Sequence, residues 1–382
     1  MRIAYVTESF PPDVNGMAHT AVRVAEHLVS RGHEPLIIAP EPARGLARPD
    51  ADLGYPVVRI PSVGVPLYKG FRVGLPGPRL RRAVAAHGTD LIHLAGPFVL
   101  GAIATAAAKR LKLPTVAVYA TDMAAYARMY NTGSAGEAIA WHHLRWIHNT
   151  AARTLAPSTA TATDLRTHGF ERVCLWGRGV DTTRFNPAKR SPKLRAEVAP
   201  GGEVIVGYVG RLAQEKCLPL LSEVAALPGV RLVVVGAGPA EALARRALPD
   251  ALFLGPREGD DLATIYASLD VFVHAGPHET FGNTLQEAAA SGLPVVAPAA
   301  GGPIDLVADG VTGFLVAPGD AGALASAVAK LATDRVLRAT QSRAAREGVR
   351  YRSWPARCDE LIAHYEAVLG CDTIPVAAEA AA

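Results

Sequence analysis

Short runs of consecutive apolar residues alternate along this chain with longer segments in which apolar positions recur every three or four residues. Unbroken apolar runs of four to six residues are the mark of strands buried on both faces. They predict strands over 2–6, 35–39, 56–60, 90–94, 115–119 and 172–176, and again over 204–209, 231–235, 251–254, 270–274 and 294–297. The amphipathic segments predict helices over 18–30, 80–87, 98–111 and 137–153, then 215–226, 239–248, 260–268 and 283–291. Such alternation implies parallel sheets with helices on both faces. Between Gly177 and Pro200 the pattern lapses into Gly, Asp, Asn, Pro and charge, the composition of a linker, and then resumes. The expected fold is therefore α/β, with two Rossmann-like doubly wound domains over 1–182 and 183–354. Three helices near 321–332, 335–348 and 355–369 finish the chain, and the Ala-rich stretch 371–382 is expected to be disordered.

Composition narrows the function without naming it. A chain of 382 residues suits two domains of ordinary size, and 49% hydrophobic with 19% charged residues describes a globular protein. The net charge of +4 gives no nucleic-acid footprint. Basic residues cluster only near Lys69, Arg72, Arg79, Arg81 and Arg82, a solvated surface that also offers contact with acidic lipid. Four cysteines without C-x-x-C spacing indicate neither a zinc site nor a disulfide framework. The first residues enter Ile3-Ala-Tyr-Val6 and then Glu8, too short an apolar run for a signal peptide, and the longest apolar stretch, 98–108, is too short to span a bilayer. A cytoplasmic protein is expected, with peripheral membrane contact at most.

In open parallel sheets ligands bind beyond the carboxyl ends of the strands, and the candidate residues fall on those loops. The principal stretch runs from Glu279 to Glu287 between the strand ending at His274 and a short Ala-rich helix. If the helix starts near Gly282 or Asn283, its free N–H groups form an anion seat beside Glu279, with Glu287 about a turn further on. The bland alternative is a capping Glu279 and a solvated Glu287. After strand 204–209, Arg211 and Lys216 follow Gly210 at an expected helix start, which suits a diphosphate; a surface ion pair with Glu215 is the competing reading. Gly16 lies in an Asn15-Gly16 turn after the first strand. Gly236-Ala-Gly238 is only a fragment of a dinucleotide fingerprint, so a nicotinamide cofactor is not expected. Gly301-Gly302 is placed to bring backbone near the same ligand, Asp305 and Asp309 read as caps and turn formers, and Arg257 is placed to reach a nucleotide base. Asp50-Ala-Asp52 has metal-pair spacing but lies in a Pro-rich loop, and it reads as solvated.

Taken in order, Asn15-Gly16, Gly210-Arg211 with Lys216, Gly236-Ala-Gly238, His278 to Glu287 and Ala300-Gly-Gly302 resemble the motif set of glycosyltransferase family 4, whose retaining members have the GT-B fold. Tyr119-Ala-Thr-Asp122, Trp176-Gly-Arg-Gly-Val-Asp181 and Gln286 to Pro294 look most like actinobacterial GDP-mannose-dependent α-mannosyltransferases. The resemblance implies two domains facing across a cleft, with the last helix packing back on the first. It implies that Arg211 and Lys216 hold the donor diphosphate and Glu279 the sugar hydroxyls. Phe281, Gly282 and Asn283 would offer backbone to sugar and phosphate, and Glu287 would hold the ribose. One departure is Ala120, where most of the family has a His; Asp122 is then the nearest polar candidate in the first domain.

The expected activity is retaining transfer of a sugar, α-mannose from GDP-mannose, to a hydroxyl of a glycan or lipid-linked acceptor, without metal or other cofactor. Competing readings are a UDP-sugar transferase acting on a small natural product, a sugar-nucleotide epimerase, a Rossmann oxidoreductase and a noncatalytic binding module. Neither the acceptor nor the oligomeric state is encoded in these motifs.

Overall fold

The computed structural model describes residues 1–13, 15–43, 45, 50, 53–65, 68–96, 98–120 and 133–370. Asp52, Asp122 and the tail 371–382 lie outside the described residues. The chain divides into two compact units. One comprises 1–157, 161–177 and the chain from Pro355 onward; the other comprises 158–160 and 178–354.

The first unit holds a seven-stranded sheet of β1 (Arg2–Val6), β2 (Glu34–Pro40) and β3 (Val57–Ile60), and, beyond a hairpin of β4 (Ser62–Val65) and β5 (Tyr68–Gly74), of β6 (Leu91–Leu94), β7 (Thr115–Val118), β8 (Arg153–Ala156) and β9 (Val173–Leu175). Its order is β3-β2-β1-β6-β7-β8-β9, and every neighbouring pair is parallel. The second unit repeats the plan with β10 (Val204–Val209), β11 (Val230–Val235), β12 (Leu252–Gly255), β13 (Val271–Val273), β14 (Val295–Pro298) and β15 (Gly313–Val316), in the order β12-β11-β10-β13-β14-β15, again all parallel.

The unbroken apolar runs have a direct cause. Ile205 and Val209 of β10 enter one core with Val233, Val235, Val295 and Ala297, while Val206 and Tyr208 enter another with Leu232, Val234 and Val296. Successive side chains point to opposite faces, and both faces are covered, so most strand positions are apolar. The last helix, Trp354–Leu369, is fixed in the first unit by Tyr365, whose hydroxyl lies 2.8 Å from His93 Nδ1, by the indole N–H of Trp176 donating to the Arg357 carbonyl, and by Asp359 beside His27.

Several local expectations are corrected. The helix expected over 137–153 stops at Thr150, and Arg153–Ala156 forms β8, because Thr154, Leu155 and Ala156 are buried between parallel neighbours. The helix expected over 215–226 is broken into 3₁₀ turns at Gln214–Lys216 and Leu218–Leu221 and one α-turn at Ser222–Ala225. Cys217 adopts a left-handed φ of +50°, and Pro219 lacks an N–H, so a continuous helix cannot pass. Arg211 and Lys216 therefore do not stand at an α-helix N-terminus. The linker region contains its own helix, Pro192–Val198. Asp50 is not solvated: Arg59, itself buried, donates to both its carboxylate oxygens at 2.6 and 3.0 Å. In the basic cluster, Arg72 is spent on the Glu41 and Ser62 carbonyls and the Ser62 hydroxyl, and Arg79 faces Glu41.

Candidate active site

In the second sheet the chain winds outward in both directions from β10 and β13, which pair through Val206 with Val271 and Gly207 with Phe272. This is the switch point where open parallel sheets bind ligands, because the loops leaving the two strands diverge there. The loop after β10 carries Arg211 and Lys216; the loop after β13 carries Glu279. Though 63 positions apart, Lys216 Nζ and Glu279 Oε2 lie 2.7 Å from one another, each side chain 18% exposed.

The loops are held in close register by glycines. A Cβ on Gly276 would lie 2.6 Å from the Glu215 carbonyl oxygen, and one on Gly302 would lie 1.9 Å from that of Phe281. Gly301-Gly302 thus serves the packing of the β14 loop on the Glu279 loop, with Gly302 N–H donating to the Glu279 carbonyl at 2.7 Å. Gly238 likewise packs on Leu212, where a Cβ would meet its carbonyl oxygen at 2.3 Å. Any larger residue would push the loops apart.

The helix after the Glu279 loop is Asn283–Ala290, eight residues long, and it starts where expected. Its N-cap is Gly282 at φ +103°, with no side-chain cap. Glu279 is not spent on capping, since its carboxylate turns to Lys216. Burial raises the Glu279 pKa, but the charges of Lys216, His274 and Arg178 and the Lys216 hydrogen bond outweigh it, so the group is held below the usual carboxylate range. Glu287, on the same helix, accepts from the Tyr266 hydroxyl at 3.0 Å. Here burial dominates, the Tyr266 bond and the Arg184 charge recover only part, and the pKa is raised to about 7.

His274, at the end of β13, was not singled out from the sequence. Its ring lies near parallel to Tyr208 with centroids 6.2 Å apart, and Nε2 is 3.8 Å from the same Glu279 Oε2 that binds Lys216. The Tyr208 hydroxyl donates to the Arg211 carbonyl at 3.1 Å, so a buried aromatic holds the loop that carries both cations.

Residues 14–184 match the family model described as Glycosyltransferase Family 4, and residues 203–334 that of Glycosyl transferases group 1. The chain is 47% identical to a GDP-mannose-dependent alpha-mannosyltransferase of Mycobacterium tuberculosis, over 99% of each chain. The chain belongs to glycosyltransferase family 4. A second GDP-mannose-dependent alpha-mannosyltransferase, from Corynebacterium glutamicum, is 42% identical over 97% of this chain and 89% of its own. Among solved structures, Anabaena HepE in complex with UDP and glucose superposes with a TM-score of 0.73, covering 96% of this chain and 99% of that one at 23% identity, which shows the shared GT-B fold.

Not every candidate of this glycosyltransferase joins the cluster. Arg211 contacts Glu215, the ion pair that the competing reading foresaw. Arg257 is exposed on the loop after the edge strand β12, two strands removed from β10. Phe281 is buried, and its carbonyl abuts Gly302. Gly16 opens the helix Gly16–Ser30 in the first unit, where the Asn15 side chain caps Met17 and Ala18 N–H at 3.0 Å. Asp305 accepts from Thr159 N–H at 2.6 Å and Asp309 from Leu315 N–H at 2.9 Å.

The first sheet has its own switch point between β1 and β6, and there Glu8 was missed. Its Oε1 accepts from the N–H groups of Leu100 and Gly101 at the start of the helix Val99–Leu111, while Oε2 is buried without a partner among the described residues. Burial lifts its pKa to about 7 against those two bonds. A charged residue two positions after an apolar strand was the available signal. The described residues contain no group of three or more His, Cys, Asp or Glu able to hold a metal ion, and no helix among them is long and apolar enough to cross a membrane.

Proposed function

We propose that this chain transfers an α-mannosyl residue from GDP-mannose to an acceptor hydroxyl with retention of anomeric configuration. The observation that carries the reading is the Lys216–Glu279 pair at the switch point, beside a helix start whose N-cap is Gly282, in a chain 42–47% identical to two GDP-mannose-dependent alpha-mannosyltransferases. The bond from the anomeric carbon to the diphosphate breaks, and negative charge grows on the leaving group. Lys216, Arg211 and the first-turn N–H groups after Gly282 stabilise that charge as it develops. Glu279 accepts from sugar hydroxyls, Phe281, Gly282 and Asn283 present backbone to sugar and phosphate, Glu287 takes the ribose and Arg257 the base. The acceptor oxygen attacks on the face that the diphosphate leaves, and its proton passes to the leaving phosphate. The reaction uses no metal. Gly16 belongs to the donor-binding set and Asp122 to the catalytic set of this reading. The acceptor is a glycan or lipid-linked hydroxyl, reached from the cytoplasmic side, with peripheral contact at a membrane.

A panel of GDP-, UDP- and ADP-sugars with simple mannosides tests the reading. GDP-mannose turnover with an α-linked product is expected. Absence of donor turnover, or full activity in Lys216→Ala and Glu279→Ala, overturns it.

A further inference from the structure

His274 is 2% exposed, and among the described residues neither ring nitrogen has a hydrogen-bond partner of proper geometry. Buried polar groups are nearly always paired, so an imidazole whose nitrogens make no well-formed hydrogen bond beside the candidate site needs a reason. Its surroundings supply one. Glu279 Oε2 lies between Lys216 Nζ at 2.7 Å and His274 Nε2 at 3.8 Å. Other charged or titratable groups around this trio, among the described residues, are Tyr208, stacked on the ring from β10, Arg211, Glu215 and Cys217 on the loop after β10, and Arg178, whose charge reaches Glu279. In the free protein Lys216 is the hydrogen-bonded counter-charge of Glu279, with Arg178 adding to it, and the imidazole is neutral. Burial sets its pKa at about 4, with Glu279 and the Gly276 backbone pulling up and Lys216 pushing down.

Resting on the reading above, in which Lys216 moves to the donor diphosphate, we propose that His274 takes a proton from solvent when the sugar nucleotide binds and replaces Lys216 as the counter-charge of Glu279. A buried carboxylate whose partner leaves must be neutralised or paired again, and the imidazole is the nearest group able to do so. Losing the Lys216 charge removes one cause of its low pKa and leaves burial as the remaining force against the Glu279 attraction. Charge balances throughout: one ammonium turns from carboxylate to diphosphate, and one proton enters. His274 is a positioning residue, since it acts on the sugar through Glu279. Because binding consumes a proton, donor affinity falls as pH rises from about 4 to the bound-state pKa of His274, by about tenfold per pH unit at most. Glu287 contributes with the opposite sign, because its ionised form takes the ribose.

Calorimetric titration of GDP-mannose into the full chain at pH 6, without acceptor and in buffers of differing ionisation enthalpy, counts the protons. The wild type is expected to take up more protons than His274→Phe, which keeps the stacking on Tyr208 and cannot titrate. The difference approaches one proton per donor, and the two affinities converge by pH 8. Equal proton counts in two folded proteins that both bind donor overturn the proposal and leave the donor assignment standing. No binding by the wild type overturns the donor assignment instead. If His274→Phe does not fold, His274→Gln serves in its place with the same two outcomes.

Discussion

Glu279 and Glu287 flank the start and body of one short helix, eight positions apart, and in the sequence they look like a symmetrical pair of acids. Their environments make them opposites. Both are withdrawn from water, and both receive a hydrogen bond, yet Glu279 is held below the usual carboxylate range and Glu287 is lifted to about 7. Glu279 faces a lysine ammonium at 2.7 Å, and Glu287 faces a tyrosine hydroxyl at 3.0 Å. Glu8 extends the contrast. Two backbone N–H groups at a helix start bond to it, and its pKa is still about 7. Neutral donors recover part of the free energy lost on desolvating a carboxylate, whereas a full positive charge recovers the rest. One acid of the pair is thus permanently charged at neutral pH, and the other titrates there.

Removing the cation tests this contrast most severely. Lys216→Met leaves Glu279 with His274 and Arg178, so its pKa is expected to rise, and in the proposed reaction the diphosphate would lose a fixed positive charge. We expect kcat to fall by about 10²–10³-fold, the scale for removing one preorganised donor to developing charge. Steady-state kinetics at saturating donor measures it. A kcat within threefold of wild type removes Lys216 from the reaction.

The next effect is on stability. Glu8 has a folded-state pKa raised to about 7 from the ordinary glutamate value of 4.5, so the folded protein binds the extra proton between those values. Stability from this group is therefore full below pH 4.5 and is lost as pH rises to 7, by at most about 3 kcal/mol. Glu8→Gln keeps an acceptor for Leu100 and Gly101 without the charge. Denaturant melts at pH 5 and pH 8 are expected to show a smaller loss in the variant, and an unchanged difference would mean that Glu8 is not desolvated as its surroundings require.

These contrasts mark how far the sequence could be read. The strands were legible because both faces of each sheet are covered, which leaves unbroken Val, Ile and Leu runs such as Val204 to Val209. The stretch from Glu279 to the helix at Asn283 was legible because loop and helix are contiguous in the chain. What was illegible depends on distant neighbours. Nothing local announces that Lys216 turns to Glu279 while Arg211 turns to Glu215, since that choice follows from the pairing of β10 with β13. The helix expected at 215–226 failed on Cys217 and Pro219, two residues that outweigh an apolar periodicity. Glu8, His274 and Tyr266 stand at the ends of apolar elements, where they read as boundaries and not as groups with partners. The short strands β8 and β15 and the hairpin of β4 and β5 lack the long runs that revealed the others.

Within the pair, Glu287 is the acid whose charge varies in the physiological range. In the proposed reading its ionised form is the one that accepts from the ribose hydroxyls, so the Glu287 contribution to donor binding is expected to grow as pH rises through about 7, against the fall assigned to His274. Glu287→Gln removes this limb. At pH 8 its donor KM is expected to rise about tenfold, the scale of a lost charge-assisted hydrogen bond, with kcat changed far less. A KM that keeps the wild-type pH dependence would assign the limb to another group.

The smallest change sharpens the comparison most. Tyr266 donates one proton and has two acceptors in reach, Glu287 Oε2 at 3.0 Å and the Thr284 carbonyl at 3.3 Å. If the bond to Glu287 is what partly offsets its burial, Tyr266→Phe removes that offset and leaves only Arg184 opposing desolvation. The Glu287 pKa then rises further, and the inflection in donor KM moves to higher pH by up to about one unit. The ring keeps its packing against Phe185 and Phe272, so thermal stability changes little. A KM profile measured from pH 6 to 9 separates the cases. An unmoved inflection would show that the proton of Tyr266 belongs to Thr284, and that Glu287 owes its charge to Arg184 alone.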